Sequence, residues 1–251
     1  MIVSWFSAGV SSAVATKLAN PDRIIYIHID DQHPDTLRFV KDCEAWFGKP
    51  VEILQSPYKC VENACRLRGY IRQAKGVTRC TEYLKKQVRK KWEYENPGRH
   101  TYVWGYDGTE CHRADNIQMA MPNFNHIFPI LDRTKAEVHG LLDAAGIRRP
   151  AMYDLGYQNN NCVGCVKGGM GYWNKIRVDF PEVFSARVRL ERDLNSRCLK
   201  ECFLDELDPQ RGRHEGPIVP DCGIFCEIQE ARPAPEPPAK TEEEGLRLLA
   251  L

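Results

Sequence analysis

The chain has 251 residues, 43% of them hydrophobic, and 35 basic against 34 acidic side chains leave a formal net charge of +1. That length fits one large domain with a small appendage and needs no covalent staple; the near-neutral balance argues against a general nucleic-acid coat, and no run of 18 apolar residues offers a membrane span. Eleven cysteines stand out, because MIVSWFSAGVSSAVA lacks the basic start of a secretory signal and so implies a cytoplasmic chain, where such usage means metal or catalysis rather than disulfides.

In chain order, residues 2–6 (IVSWF) read as a strand, 10–19 (VSSAVATKLA) as a helix of small residues, and 23–29 (RIIYIHI) as a buried parallel strand. Strand, tight turn, helix and strand within thirty residues make a βαβ unit. Pro34 opens a helix carrying Leu37, Val40, Trp46 and Phe47 at helical spacing, and VEIL at 51–54 is a third strand. Helices are expected around 60–73 and 81–95, strands at 101–105 and 126–131, the last cut short by Pro129, and a helix over Thr134–Ala145 stopped by Gly146. The alternation predicts an α/β fold, a doubly wound, mainly parallel sheet over residues 1–150, with ligand at the carboxyl ends of its strands. Residues 151–230 read as a cysteine-rich, mostly helical or irregular part: 156–175 as loop, Pro181–Leu194 as a charged helix. Residues 231–251 begin with a Pro-rich, solvated linker.

Ser7-Ala8-Gly9-Val10-Ser11-Ser12 sits where the first strand hands over to the first helix. Small residues there let backbone N–H groups approach an anion, and the helix N-terminus adds favourable partial charge; ordinary N-capping is the competing role. No GxxxxGK[ST] and no GxGxxG after a strand occurs, which removes the Walker and dinucleotide fingerprints. Asp30 and Asp31 at a strand end could hold Mg²⁺ or a ribose hydroxyl, and His33 could meet a phosphate; loop capping is the plain alternative. Glu110 and Arg113 form either a structural ion pair or, through Arg113, a bidentate phosphate clamp. Asp30, Glu110 and Arg113 are the candidates for catalysis. Lys85, Lys86, Arg89, Lys90 and Lys91 read as a solvated face or as the lining of an anionic substrate's path.

SAGVSS resembles the SGGxDS pyrophosphate loop of the N-type ATP pyrophosphatases. HIDDQHPDTLRF at 28–39, Arg79-Cys80-Thr81 before YLKKQVRKKW, and GYDGTECHRADN at 105–116 are similar, in order, to segments of the phosphoadenylyl-sulfate (PAPS) reductase-like family. This resemblance to the PP-loop superfamily covers roughly residues 1–180 and implies its Rossmann-like fold. It also implies an adenine nucleotide, ATP with Mg²⁺ or the sulfonucleotides PAPS and APS, with Ser7, Gly9 and Ser12 as phosphate contacts; Ser11, Asp30, Asp31, His33 and Arg113 are the further candidates for binding it. Ala8 and Ser11 depart from the pattern, one adding a methyl and the other removing a carboxylate. No ECGLH-type cysteine motif of the reductases is present.

Cys162-Val-Gly-Cys165 can bind zinc or a cluster, or do thiol redox chemistry. The resemblance implies a [4Fe–4S] cluster on Cys80, Cys162 and Cys165, where cluster-bearing reductases have paired cysteines at the Cys80 place. Cys198-x3-Cys202 and Cys222-x3-Cys226 could form a Zn²⁺ site stapling polar chain, or supply a further cluster ligand. Cys43, Cys60, Cys65 and Cys111 are expected as buried small hydrophobes. The leading expectation is an enzyme that adenylates a substrate, releases pyrophosphate, and delivers sulfur with cluster assistance. Its partners are a sulfur donor or reductant protein, with a nucleobase or nucleic acid among the candidate acceptors. The alternatives are a thiol-dependent PAPS/APS reductase and a metal-stabilised nucleic-acid-binding module with a decayed nucleotide site.

Overall fold

A computed structural model describes residues 1–72 and 78–212. Strands β1 (Ile2–Phe6), β2 (Arg23–His28), β3 (Val51–Gln55), β4 (Thr101–Val103) and β5 (Asn125–Ile127) form one sheet in the order β3-β2-β1-β4-β5. Every pair is parallel, so the expected doubly wound α/β sheet is present. Side chains alternate across a pleated strand, and both faces of this sheet are covered. Phe6, Ile24 and Tyr26 pack on one face with residues of α1 (Val10–Ala19), α2 (Asp35–Phe47) and α7 (Lys135–Ala144). Val3, Trp5, Ile25 and Ile27 pack on the other with Trp92 of α5 (Gln87–Glu95) and Ala114 and Ile117 of α6 (Cys111–Ala120).

A third apolar cluster joins the region after β2 to the C-terminal helices. It contains Ile29, residues of α3 (Val61–Arg66), Cys80 of the short α4 (Arg79–Thr81), and Tyr83 and Leu84. From beyond residue 150 it takes Met152 of α8 (Ala151–Asp154), Trp173 and Ile176 of α9 (Met170–Asp179) and Leu190 of α10 (Pro181–Leu194). Packing therefore runs across position 150 rather than stopping there.

Three local expectations are corrected. Residues 156–175 are not all loop: α9 begins at Met170 after the N-capping Gly169, and buries Tyr172, Trp173 and Ile176 at helical spacing. Within the expected 81–95 helix, Glu82–Lys86 is a π-helical turn. Its neighbourhood is not a simple solvated face, since Lys86 and Arg89 are buried. The helix expected over 60–73 ends at Arg66.

The α7 boundary follows its capping signal. Thr134 Oγ1 accepts the Glu137 N–H at 3.3 Å, and the Glu137 carboxylate accepts the Thr134 N–H at 2.7 Å.

Asp35 opens α2 and ties it to the chain entering α8, accepting from the Ala151 N–H at 2.9 Å and from Arg38 and Arg148. Chiefly through its hydrogen bonds to Arg38, its carboxyl is held at about 2, below the ordinary 3.8. The folded value is the depressed one, so the stabilisation is complete above about pH 4 and disappears as pH falls toward 2. Asp35→Asn should lower stability at pH 7 by on the order of 1–2 kcal/mol and remove part of the acid sensitivity between about pH 4 and 2. Urea unfolding at both ends of that range checks this; equal losses at neutral pH and at the acid end would contradict it.

Candidate functional site

In the strand order β3-β2-β1-β4-β5, chain direction across the sheet reverses between β1 and β4. Loops leaving the carboxyl ends of those two strands diverge there and open a crevice. The Ser7–Ser12 loop follows β1 and the segment from Trp104 follows β4. A cavity of about 300 Å³ lies between them.

The loop is shaped by its own residues. The Ser7 N–H donates to Ser12 Oγ at 3.0 Å, closing the turn, and α1 starts with the Ala13 N–H bonded to the Gly9 carbonyl at 3.0 Å. Ala8 takes a left-handed φ of 57° and is fully buried. Gly105, just past β4, lies against this loop: a Cβ there would meet Ser12 Cα at 2.8 Å and Ser12 N at 2.9 Å.

Ser7, Gly9, Ser11 and Ser12 all line the cavity. Across from them stand Trp104 and Tyr106, stacked at 5.6 Å, with the Arg113 guanidinium 4.5 Å from the Tyr106 ring centre. Arg113 also pairs with Glu110, and all four of these residues line the cavity. Of the two roles expected for Arg113, the ion pair is present, and it forms on the cavity wall. Asp107, the second carboxylate on the wall, accepts from the Thr109 N–H and hydroxyl at 3.0 and 2.6 Å. Lys85 and Lys135 add cationic groups, and Lys85 comes from the π-helical turn. Sequence patterning carries no signal for such a turn, so Lys85 stood out from the other basic residues only once the fold was known.

The remaining wall comes from beyond residue 150. Asn159, Asn160, Asn161 and Cys162 line it, and Cys162 bridges Gln32 in antiparallel fashion. The buried Nδ2 of Asn161 has no hydrogen-bond partner among the described residues. Tyr172 braces the C-x2-C turn, its hydroxyl accepting from the Cys165 N–H at 2.9 Å and donating to the Cys162 carbonyl at 3.2 Å. Burial pushes the Tyr172 phenol well above its usual range, keeping it protonated for that task.

Asp30, Asp31 and His33 are not among the cavity-lining residues. Asp30 accepts from Gln55 Nε2 at 2.6 Å, and His33 Nδ1 accepts the Asp35 N–H at 3.2 Å at the start of α2. Asp31 pairs with the buried Arg187 and accepts the Val61 N–H at 2.6 Å. These are loop-organising roles, the plainer of the two expected.

Of the cysteines expected to bind a cluster, Cys162 lines the cavity, while Cys80 and Cys165 are buried in the core cluster against which Cys162 packs. Among the described residues no three His, Cys, Asp or Glu side chains are grouped to hold a metal. No step is derived through an iron–sulfur cluster. Cys198 is buried and Cys202 half-buried; Cys222 and Cys226, like the Pro-rich linker, lie outside the described residues. Among the four expected bystanders, Cys43 and Cys65 are buried, and burial pushes the Cys65 thiol up to about 12. Cys60 is half-buried, and Cys111, the first residue of α6, is exposed rather than buried.

The phosphoadenosine phosphosulfate reductase domain matches residues 1–168, two thirds of the chain. The chain belongs to that family. Among solved structures, a phosphoadenylyl-sulfate reductase from Candida auris, in complex with phosphate, is similar at 13% identity and a TM-score of 0.44, over 64% of this chain and 80% of that one. No curated protein matches. An enzyme of the sulfonucleotide reductase or PP-loop type follows from family membership. Among the described residues no helix is long and apolar enough to cross a membrane.

Proposed function

We propose that the crevice binds an adenosine phosphosulfate, PAPS or APS, and passes its sulfuryl group to a thiol. The observation that carries this reading is one cavity lined by the Ser7–Ser12 loop, by Lys85, Arg113 and Lys135, and by Cys162. The loop offers small residues and a helix N-terminus to a phosphate. The cationic side chains balance the remaining charge. Both carboxylates on the wall are engaged, Asp107 with Thr109 and Glu110 with Arg113. That charge pattern favours an anion held by side chains over one delivered as a magnesium complex.

In the reaction, a thiolate attacks the sulfur atom of the phosphosulfate. An S–S bond forms, the S–O bond to phosphate breaks, and the adenosine phosphate departs with the electron pair. Lys85, Arg113 and Lys135 stabilise the charge gathering on the leaving phosphate. Among the described residues, Cys162 is the cysteine that lines the cavity. A dithiol reductant protein then supplies two electrons, releasing sulfite and regenerating the thiol.

A second reading keeps the same loop and takes ATP, with a substrate oxygen attacking the α-phosphate, pyrophosphate leaving, and sulfur displacing AMP from the adenylated acceptor. The position of the loop at the start of α1, where the α–β phosphates of ATP would sit, favours it. A product assay separates the two. With PAPS and a dithiol the first reading predicts sulfite and adenosine 3′,5′-bisphosphate in equal amounts; with ATP and Mg²⁺ the second predicts AMP and pyrophosphate once an acceptor is present. Pyrophosphate release without sulfite release would replace the first reading by the second.

A further inference from the structure

Ala8 is the one residue of the phosphate loop whose backbone is unusual. Its φ of 57° lies in the left-handed region, where an alanine is strained and a glycine is not. Something outside the loop must hold it there. The Ala8 carbonyl accepts a hydrogen bond from Asn160 Nδ2 at 2.8 Å. Asn160 is 6% exposed and comes from 152 positions further along the chain. Its side-chain amide also exchanges hydrogen bonds with Thr36 Oγ1, at 3.3 and 3.4 Å, on the buried first turn of α2. Beyond it the chain is anchored again, by the Gln32–Cys162 bridge and by the Val163 N–H donating to the Asp31 carbonyl at 2.8 Å.

We propose that Asn160 is a positioning residue that fixes the left-handed Ala8 peptide, and so sets the first turn of α1 to face an anion in the cavity. The proposal rests on the reading of the crevice as a nucleotide site. Without the Asn160 amide, the strained Ala8 peptide relaxes toward a right-handed or extended conformation, and the loop spends only part of its time in the binding form. A glycine at position 8 has no such strain to relax.

The test is a double-mutant cycle with the full chain: wild type, Asn160→Ala, Ala8→Gly and the double variant, with Asn160→Asp as a near-isosteric second change that replaces the donor by an acceptor. Two readouts are taken, the dissociation constant for PAPS and the urea unfolding free energy. Asn160→Ala and Asn160→Asp should each weaken PAPS binding by about three- to tenfold in the wild-type background, the range of one lost hydrogen bond. In the Ala8→Gly background the same changes should weaken it by less than about twofold, because a glycine reaches the left-handed turn without the strain that the Asn160 hydrogen bond offsets at alanine. Equal weakening in both backgrounds, or none in either, would overturn the proposal; equal weakening would place Asn160 against the ligand instead. If wild type binds no PAPS, the nucleotide reading fails by itself. The positioning role is then decided by the unfolding cycle, where additive losses overturn it and a smaller Asn160 effect in the Ala8→Gly background supports it.

Discussion

Arg187→Met should destabilise the protein by about 3–5 kcal/mol, the range for breaking one side of a buried ion pair. Arg187 is 4% exposed and lies on α10. Its guanidinium pairs with Asp31 and its Nε donates to the Gly164 carbonyl at 3.3 Å. The Asp31 carboxylate accepts the Val61 N–H, and its carbonyl accepts the Val163 N–H. One arginine thereby ties α10, the loop after β2, the start of α3 and the C-x2-C turn. Met preserves most of the volume but leaves the Asp31 carboxylate without its counter-ion, which is why the loss is large. Asp31→Asn combined with Arg187→Met removes the stranded charge, so the double variant should be more stable than Arg187→Met alone. Urea unfolding of the wild type and the two variants measures this; a loss below about 1 kcal/mol for Arg187→Met would contradict the clamp.

Gly105→Ala should separate the effect of fit from that of chemistry. The added methyl would lie 2.8–3.0 Å from Ser12 Cα, Ser12 N and the Ser11 carbonyl carbon, all backbone atoms of the phosphate loop. No side-chain rotation relieves such a contact. Either β4 or the loop must shift, at about 1–3 kcal/mol in stability, and nucleotide affinity should fall at least about tenfold because the anion-facing turn moves with it. Gly140→Ala is the matched control. It sits exposed in α7 with nothing within 4 Å of its added Cβ, and should raise stability by about 0.5–1 kcal/mol. Thermal melts and PAPS titrations of both variants check the pair; unchanged affinity in Gly105→Ala would mean that the loop does not define the site.

Much of this organisation was legible in the chain. The runs IVSWF and RIIYIHI declared buried parallel strands because both faces are apolar, and the crevice follows from that sheet without further information. Ser7, Gly9, Ser11 and Ser12 stand out as small residues between a strand and a helix, where an anion site and ordinary N-capping compete, and Glu110 and Arg113 follow a later strand; the fold brings all six to one cavity. The acidic pair after β2 leaves two roles open in the sequence. A carboxylate beside a strand end can cap backbone as readily as it can hold a ligand, and only the fold shows that Asp31 is met by Arg187 from 156 positions away. The same holds for Asn160, one of three consecutive asparagines that looked like loop, and for Lys85, carried into the cavity by a π turn that leaves no periodic trace. Helix α9 was hidden because the Gly-rich run ahead of it masked the helical spacing of Tyr172, Trp173 and Ile176.

The central claim is that the crevice recognises the anionic end of an adenine nucleotide. Calorimetric titration of the wild-type chain with PAPS and with adenosine tests it most directly. Binding of PAPS at least about tenfold tighter than adenosine, with the difference shrinking as salt is raised, is the predicted result. Equal affinity for the two compounds, or no binding of PAPS, would contradict it.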